Sequence, residues 1–252
     1  MNISGNTIFI PGATSGIGLA LAQRLQAAGN VVIIGGRRTE LLESLAAEHG
    51  FGTVRIDTAD PESITTATSD VIARFPELNV LLAMSGIMRA EDWTGPGFLA
   101  DAEETVITNV LGPIRLIAAL TEHLQSRPNS AIITVSSGLA HTPLRVTPTY
   151  NATKAAIHQL SESIRLQFEP AGIQVIELVP PAVRTDLMPG QRESDFAMPL
   201  DDFADEVMSL LDMDPDAHEI LVENVKFLRF GKARGDYDQV VATLNARDPH
   251  GR

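Results

Sequence analysis

The chain has 252 residues, 44% of them hydrophobic, and a formal net charge of -13 at pH 7. That length buries one sizeable core, so a single domain over residues 1–252 is expected, while the negative charge opposes nucleic acid and anionic membrane surfaces, which need a concentrated positive field. The absence of cysteine excludes disulfides, thiolate catalysis and Cys-ligated zinc. The six histidines lack His-x-x-x-His or other ligand spacing, so no metal is expected. Residues 1–10 do not read as a signal peptide, and no stretch approaches the roughly 20 apolar residues of a membrane span; a cytoplasmic location is expected.

In chain order, short β-branched runs at 7–10, 31–34, 53–56, 80–83, 131–135, 174–179 and 219–222 alternate with helical patterns. The first helix carries Ile17, Leu21 and Leu25 at i, i+4 and i+8 and ends at Gly29-Asn30, and further helices are predicted over 39–48, 62–74, 103–125 and 150–168. Strands that are nearly continuous in apolar character and alternate with helices predict an α/β fold: a Rossmann-type, doubly wound, mostly parallel seven-stranded sheet with helices on both faces. Residues 90–100, with Trp93 and Gly95-Pro96-Gly97, read as a loop. Residues 186–216 read as a substrate loop: a mobile connection over 188–200 and an acidic amphipathic helix with a solvated face over 201–216.

Directly after the first strand, Gly12-Ala13-Thr14-Ser15-Gly16-Ile17-Gly18 opens a helix. Glycine lets the backbone turn tightly and approach a pyrophosphate, and the helix N-terminus offers free N–H groups and partial positive charge. The second strand ends in Gly35-Gly36-Arg37-Arg38, where an NAD-selective site normally presents a carboxylate to the ribose hydroxyls. Two guanidinium groups instead favour a 2′-phosphate, hence NADP(H) over NAD(H). Farther on, Tyr150 and Lys154 stand four apart at the start of a helix, on one face. A nearby ammonium can stabilise the phenolate of a tyrosine serving as general acid and base.

The Gly-x-x-x-Gly-x-Gly spacing and Tyr-x-x-x-Lys resemble the short-chain dehydrogenase/reductase family almost end to end, and Pro180-Pro181 resembles its branch named after an oxidoreductase of the lipoteichoic-acid D-alanylation operon. The resemblance implies a catalytic set of Asn109, Ser137, Tyr150 and Lys154. Ser137 stands thirteen residues before Tyr150 and would hold the substrate oxygen; Asn109 would perturb its helix and anchor a water leading to the lysine. Cofactor contacts implied by motif and resemblance are Gly12, Thr14, Ser15, Gly16, Ile17, Gly18, Arg37, Arg38, Asp57, Thr58, Gly86, Tyr150, Lys154, Pro180, Val183 and Thr185. Pro11, Ala83-Met84-Ser85 and Pro181 depart from the family pattern. The implied reaction interconverts a small-molecule carbonyl and alcohol, in a homodimer or homotetramer formed through helices 103–125 and 150–168. A catalytically silent NADP(H)-binding regulator or scaffold is the alternative; an epimerase or dehydratase acting on a nucleotide-linked sugar ranks below both. Met88, Trp93, His141, Leu144, Met188 and Phe196 are candidates for lining an apolar substrate pocket, His141 more readily an exposed loop residue.

Overall fold

A computed structural model describes residues 1–246; residues 247–252 of the expected domain lie outside the described residues. Seven parallel strands, β1 (Thr7–Pro11), β2 (Val31–Gly36), β3 (Gly52–Arg55), β4 (Val80–Ala83), β5 (Ala131–Val135), β6 (Gln174–Leu178) and β7 (Glu219–Ile220), form one sheet in the order β3-β2-β1-β4-β5-β6-β7. The order reverses between β1 and β4, the topological switch point outside whose strand C-termini a crevice opens.

Alternation along the strands sends side chains to two cores. Ile8, Ile10, Val32 and Ile34 face α1 (Gly16–Ala27), α2 (Thr39–His49) and α7 (Leu200–Met213), meeting Leu21, Leu25, Leu42 and Phe203. Phe9, Ile33, Leu81 and Ile132 pack with Ile64 and Val71 of α3 (Pro61–Arg74) and Leu116, Leu120 and Leu124 of α5 (Gly112–Gln125). The acidic helix over 201–216 is therefore only half solvated: Phe203, Ala204, Val207 and Leu211 are buried, and Arg24 of α1 reaches Asp201 and Asp205 across the helix pair. Downstream lie α6 (Pro148–Phe168), α8 (Glu223–Arg229), α9 (Gly231–Arg234) and α10 (Tyr237–Ala246).

The helix predicted over 103–125 is interrupted. It starts earlier as α4 (Leu99–Val106), widens into a π-turn at Ile107–Leu111 and continues as α5. Pro113 has no N–H to donate to the Asn109 carbonyl four residues back, and the Gly112 N–H bonds instead to the Ile107 carbonyl, five residues back. A proline that starves the i→i−4 ladder gives the wider turn.

Three buried asparagines tie the opposite, N-terminal ends of the central strands together. Asn79 Oδ1 accepts from the Thr7 N–H at 2.9 Å, and its amide donates to Asn6 Oδ1 and the Asn129 carbonyl. Asn30 Oδ1 accepts from the Asn6 backbone and side chain, while its own amide donates to the carbonyls of Ile3 and Leu25. Asn79→Ala leaves the Thr7 N–H and Asn6 Oδ1 without these partners in a region closed to water. The expected loss is about 2–3 kcal/mol of unfolding free energy, read as a lower urea midpoint with an unchanged m-value.

Candidate active site

A cleft of about 530 Å³ opens along the C-terminal ends of the strands. One wall is the turn from β1 into α1. Gly12 has φ +92°, and a Cβ there would lie 2.7 Å from the Ser85 Cα; at Gly18 it would lie 2.6 Å from the Gly12 carbonyl oxygen and 2.9 Å from the Met84 side chain. The departures at Met84 and Ser85 are thus fitted against the glycines. Pro11 stands opposite Gly35, and the Gly12 N–H continues the β1–β2 pairing by donating to the Gly35 carbonyl at 2.8 Å. Ser15 has extended backbone at the N-cap of α1 but makes no side-chain cap bond, so the first-turn N–H groups face the cleft without a side-chain acceptor.

At the β2 end, Arg37 and Arg38 line the cleft, and Arg38 donates to Thr14 Oγ1 at 2.8 Å. Asp57 accepts the Ala59 N–H with its carboxylate, and Asp57, Thr58 and Gly86 complete this side. Across the switch point stand Ser137, Tyr150, Lys154, Pro180, Val183 and Thr185, together with Gln191. Gln191 was not legible as a site residue: its amide donates to the Val183 carbonyl at 2.7 Å and lies 3.4 Å from Thr185 Oγ1, a loop-to-loop contact with no motif behind it. Every predicted cofactor contact therefore lies on one cleft. Its glycine turn, uncapped helix start and terminal arginines could hold the phosphates of an extended dinucleotide.

Of the predicted catalytic and cofactor residues, Asn109 lies outside the cleft lining. Its side chain clamps the loop after β4, with Oδ1 accepting from the Ile87 N–H and Nδ2 donating to the Ile87 carbonyl, both at 2.8 Å, and Nδ2 also reaching Thr153 Oγ1. The amide is thus committed to the loop after β4 and to Thr153, which ties the π-turn to α6.

Helix α6 presents Tyr150 and Lys154 together, both buried. A second residue missed from the sequence, Glu91, anchors the start of this helix by accepting from Thr149 N–H and Oγ1 and from Trp93 Nε1. Lys154 donates to the Val135 carbonyl at 2.8 Å, and its ammonium lies 5.5 Å from the centre of the Tyr150 ring. Burial pushes the phenol up to about 12, opposed by the Ser137 hydroxyl. Burial thus favours the protonated phenol. Burial pushes Lys154 down to about 8, opposed by the Glu177 charge.

Met88 and Met188 pack against Tyr150 with Leu139 and Leu144 alongside. Three other pocket candidates fall elsewhere. Trp93 stacks on Phe98 in the exposed 90s loop, and Phe196 is largely exposed. His141 turns away from the cleft to meet His158 edge-on, and burial pushes its imidazole down to about 4.

Known proteins supply comparisons for this geometry. The family model described as short chain dehydrogenase matches residues 6–195. An uncharacterized oxidoreductase, DltE, of Bacillus subtilis (strain 168) is 35% identical over 98% of this chain and 100% of its own length. A serine 3-dehydrogenase of Rhizobium radiobacter is 33% identical over 76% of this chain and 74% of its own length. Among solved structures, a short chain dehydrogenase from Burkholderia cenocepacia J2315 in complex with NADP shares the fold with a TM-score of 0.81 at 24% identity, covering 97% of this chain and 99% of that one.

The depressed Lys154 predicts a pH signature. Below about pH 8 the folded protein bears the full cost of a buried ammonium; between about 8 and the ordinary 10.5 the native lysine is neutral while the unfolded one is charged, so stability rises with pH. Relative to Lys154→Met, the unaltered protein should gain up to about 3 kcal/mol between pH 7 and 10.5, at about 1.4 kcal/mol per pKa unit. Paired urea titrations at the two pH values measure it.

Proposed function

Because this chain is a member of the short-chain dehydrogenase family, we propose that it is an NADP(H)-dependent oxidoreductase that interconverts a carbonyl and the corresponding alcohol, with Tyr150 as general acid and base. The observation that carries the reading is the pairing of Tyr150 and Lys154 on one buried face of α6 at the end of a cleft whose far end carries Arg37 and Arg38. A nicotinamide dinucleotide, when bound, supplies or accepts the hydride.

The chain's own residues supply orientation and the proton. Ser137 and Tyr150 hold the substrate oxygen between two hydroxyls, and Tyr150, protonated at neutral pH, gives its proton to that oxygen as it gains electrons; alcohol oxidation reverses the transfer. Lys154 holds positive charge beside the phenol and would orient the ribose of a bound dinucleotide. The N–H groups of Ser15, Gly16 and Ile17 would bind its phosphates, Val183 and Thr185 would hold its carboxamide, and Arg37 and Arg38 would bind a 2′-phosphate. The presence of NADP in the Burkholderia cenocepacia structure agrees with this assignment. The apolar cluster of Met88, Met188, Leu139 and Leu144 beside Tyr150 favours a substrate with an apolar group next to its carbonyl. Exposed Val106, Ile107 and Ile114 on the α4–α5 segment support assembly into a homodimer or homotetramer through that face. Met84 and Ser85, which depart from the family pattern, fit tightly against Gly18 and Gly12, so the departure leaves the glycine turn closely packed.

Two variants test the proposal on purified protein with a panel of aldehydes, ketones and diketones. Tyr150→Phe removes the proton and keeps the ring; kcat for reduction should fall by about 10²–10⁴ while NADPH binding is retained. Tight NADPH binding without turnover by the unaltered protein across the panel would instead favour the silent reading. The double change Arg37→Ala and Arg38→Ala should raise KM for NADPH by about tenfold or more and leave KM for NADH unchanged.

A further inference from the structure

Behind the Ser137 turn, on the side away from the cleft, four side chains from four separate elements converge. His141 follows the short 3-10 turn Gly138–Ala140, His158 lies one helical turn beyond Lys154 on α6, Glu177 is on β6 and Glu219 opens β7. One ligand atom from each lies within 4.8 Å of all the others. His158 Nδ1 and Glu177 Oε2 are 2.8 Å apart, and the two imidazoles meet with ring centres 4.5 Å apart. Glu177 is fully buried, and besides His158 its carboxylate has the otherwise unpartnered Ser136 hydroxyl beside it, while the buried Nε2 of His141 has no hydrogen-bond partner. An unpartnered imidazole nitrogen beside a buried carboxylate is costly in a protein interior and calls for a ligand.

We propose that His141, His158, Glu177 and Glu219 form a structural binding site for a divalent cation of the zinc class. Two imidazoles and two carboxylates suit zinc, which takes nitrogen and oxygen ligands at about 2.0–2.2 Å, better than magnesium or calcium, which prefer oxygen alone. Glu177 and Glu219 bring two negative charges to a dication, the second of them shared with Arg229. Arg229 already donates to both Glu219 oxygens, at 2.9 and 3.1 Å, and a carboxylate has lone pairs enough to keep those bonds while ligating, the outer-shell support usual at metal sites. With the ligand atoms within 4.8 Å of one another, coordination at about 2.0–2.2 Å would draw the four side chains together. Sequence spacing could not reveal the site, since no two ligands share a short motif.

The location gives the cation a job. It joins the turn bearing Ser137 to α6, which bears Tyr150 and Lys154, and to the β6–β7 edge. Gly138 is closed on its other side by Val225 and Leu228 of α8, and Thr142 Oγ1 donates to the Leu228 carbonyl. The cation would hold the turn on its remaining side and so position the serine against the tyrosine.

The test uses the purified full-length chain, stripped with a chelator and titrated with Zn2+, Co2+ or Mg2+. One equivalent of Zn2+ should bind and raise Tm by several degrees, Co2+ should give the visible absorption of a four-coordinate nitrogen/oxygen site, and Mg2+ should do neither. His141→Leu removes a ring whose Nε2 has no partner, so it should fold and lose both signals. Glu219→Gln, which keeps an acceptor for Arg229, should weaken Zn2+ at least tenfold. None of these readouts depends on turnover, so they stand apart from the proposed oxidoreductase activity. Failure of the unaltered chain to bind Zn2+ stoichiometrically, an equal response to Mg2+, or undiminished Zn2+ binding by both variants would overturn the site.

Discussion

The buried ammonium of Lys154, bonded to the Val135 carbonyl at the end of β5, is the interaction around which the reactive end is arranged. Removing such a charge from water is expensive, and the depressed pKa records that cost. The bond pins the first turns of α6 to the centre of the sheet, where Tyr150, one turn earlier, faces the cleft and His158, one turn later, faces Glu177. One helix face thus serves the cleft on one side of the Ser137 turn and a polar cluster on the other. The Glu177 charge raises the pKa of Lys154 against the effect of burial, so the two sides are also coupled electrostatically.

The opposite wall depends on close backbone approach. Gly12 and Gly18 leave room for Ser85 and Met84, and any Cβ at either glycine would collide with them. Residues that depart from the familiar pattern are therefore accommodated by complementary shape rather than by slack. The same economy appears at Asn109, where one amide closes on the Ile87 backbone while the missing N–H of Pro113 loosens the helix around it.

Much of the fold was legible because its signals are local. Seven apolar runs bounded by turn residues gave strands within one or two residues of those observed, since the period of apolar side chains is set by which faces of a strand are covered. The glycine turn, Arg37-Arg38 and the Tyr150–Lys154 pair were legible for the same reason: their chemistry needs fixed short spacings, and the cleft gathers them. Helical patterning alone reads straight through 107–111; the expectation that Asn109 perturbs its helix came from the family resemblance, and the π-turn lies at that residue, with Pro113 as the local physical cause. Pocket lining was read only in part. Met88, Met188 and Leu144 reached Tyr150 while Trp93, Phe196 and His141 did not, because hydropathy says that a side chain seeks cover and does not say where.

By itself, then, the amino-acid sequence determined a parallel α/β sheet, a dinucleotide-type glycine turn and a tyrosine–lysine pair, each a consequence of contacts between residues near one another along the chain. Tertiary structure alone decided which distant groups share a space: Gln191 on Val183, Glu91 at the head of α6, the asparagine latch, and His141, His158, Glu177 and Glu219 behind the serine turn. These depend on strand order and loop closure, which bring together residues from eight to dozens of positions apart, and no periodicity along the chain encodes the meeting.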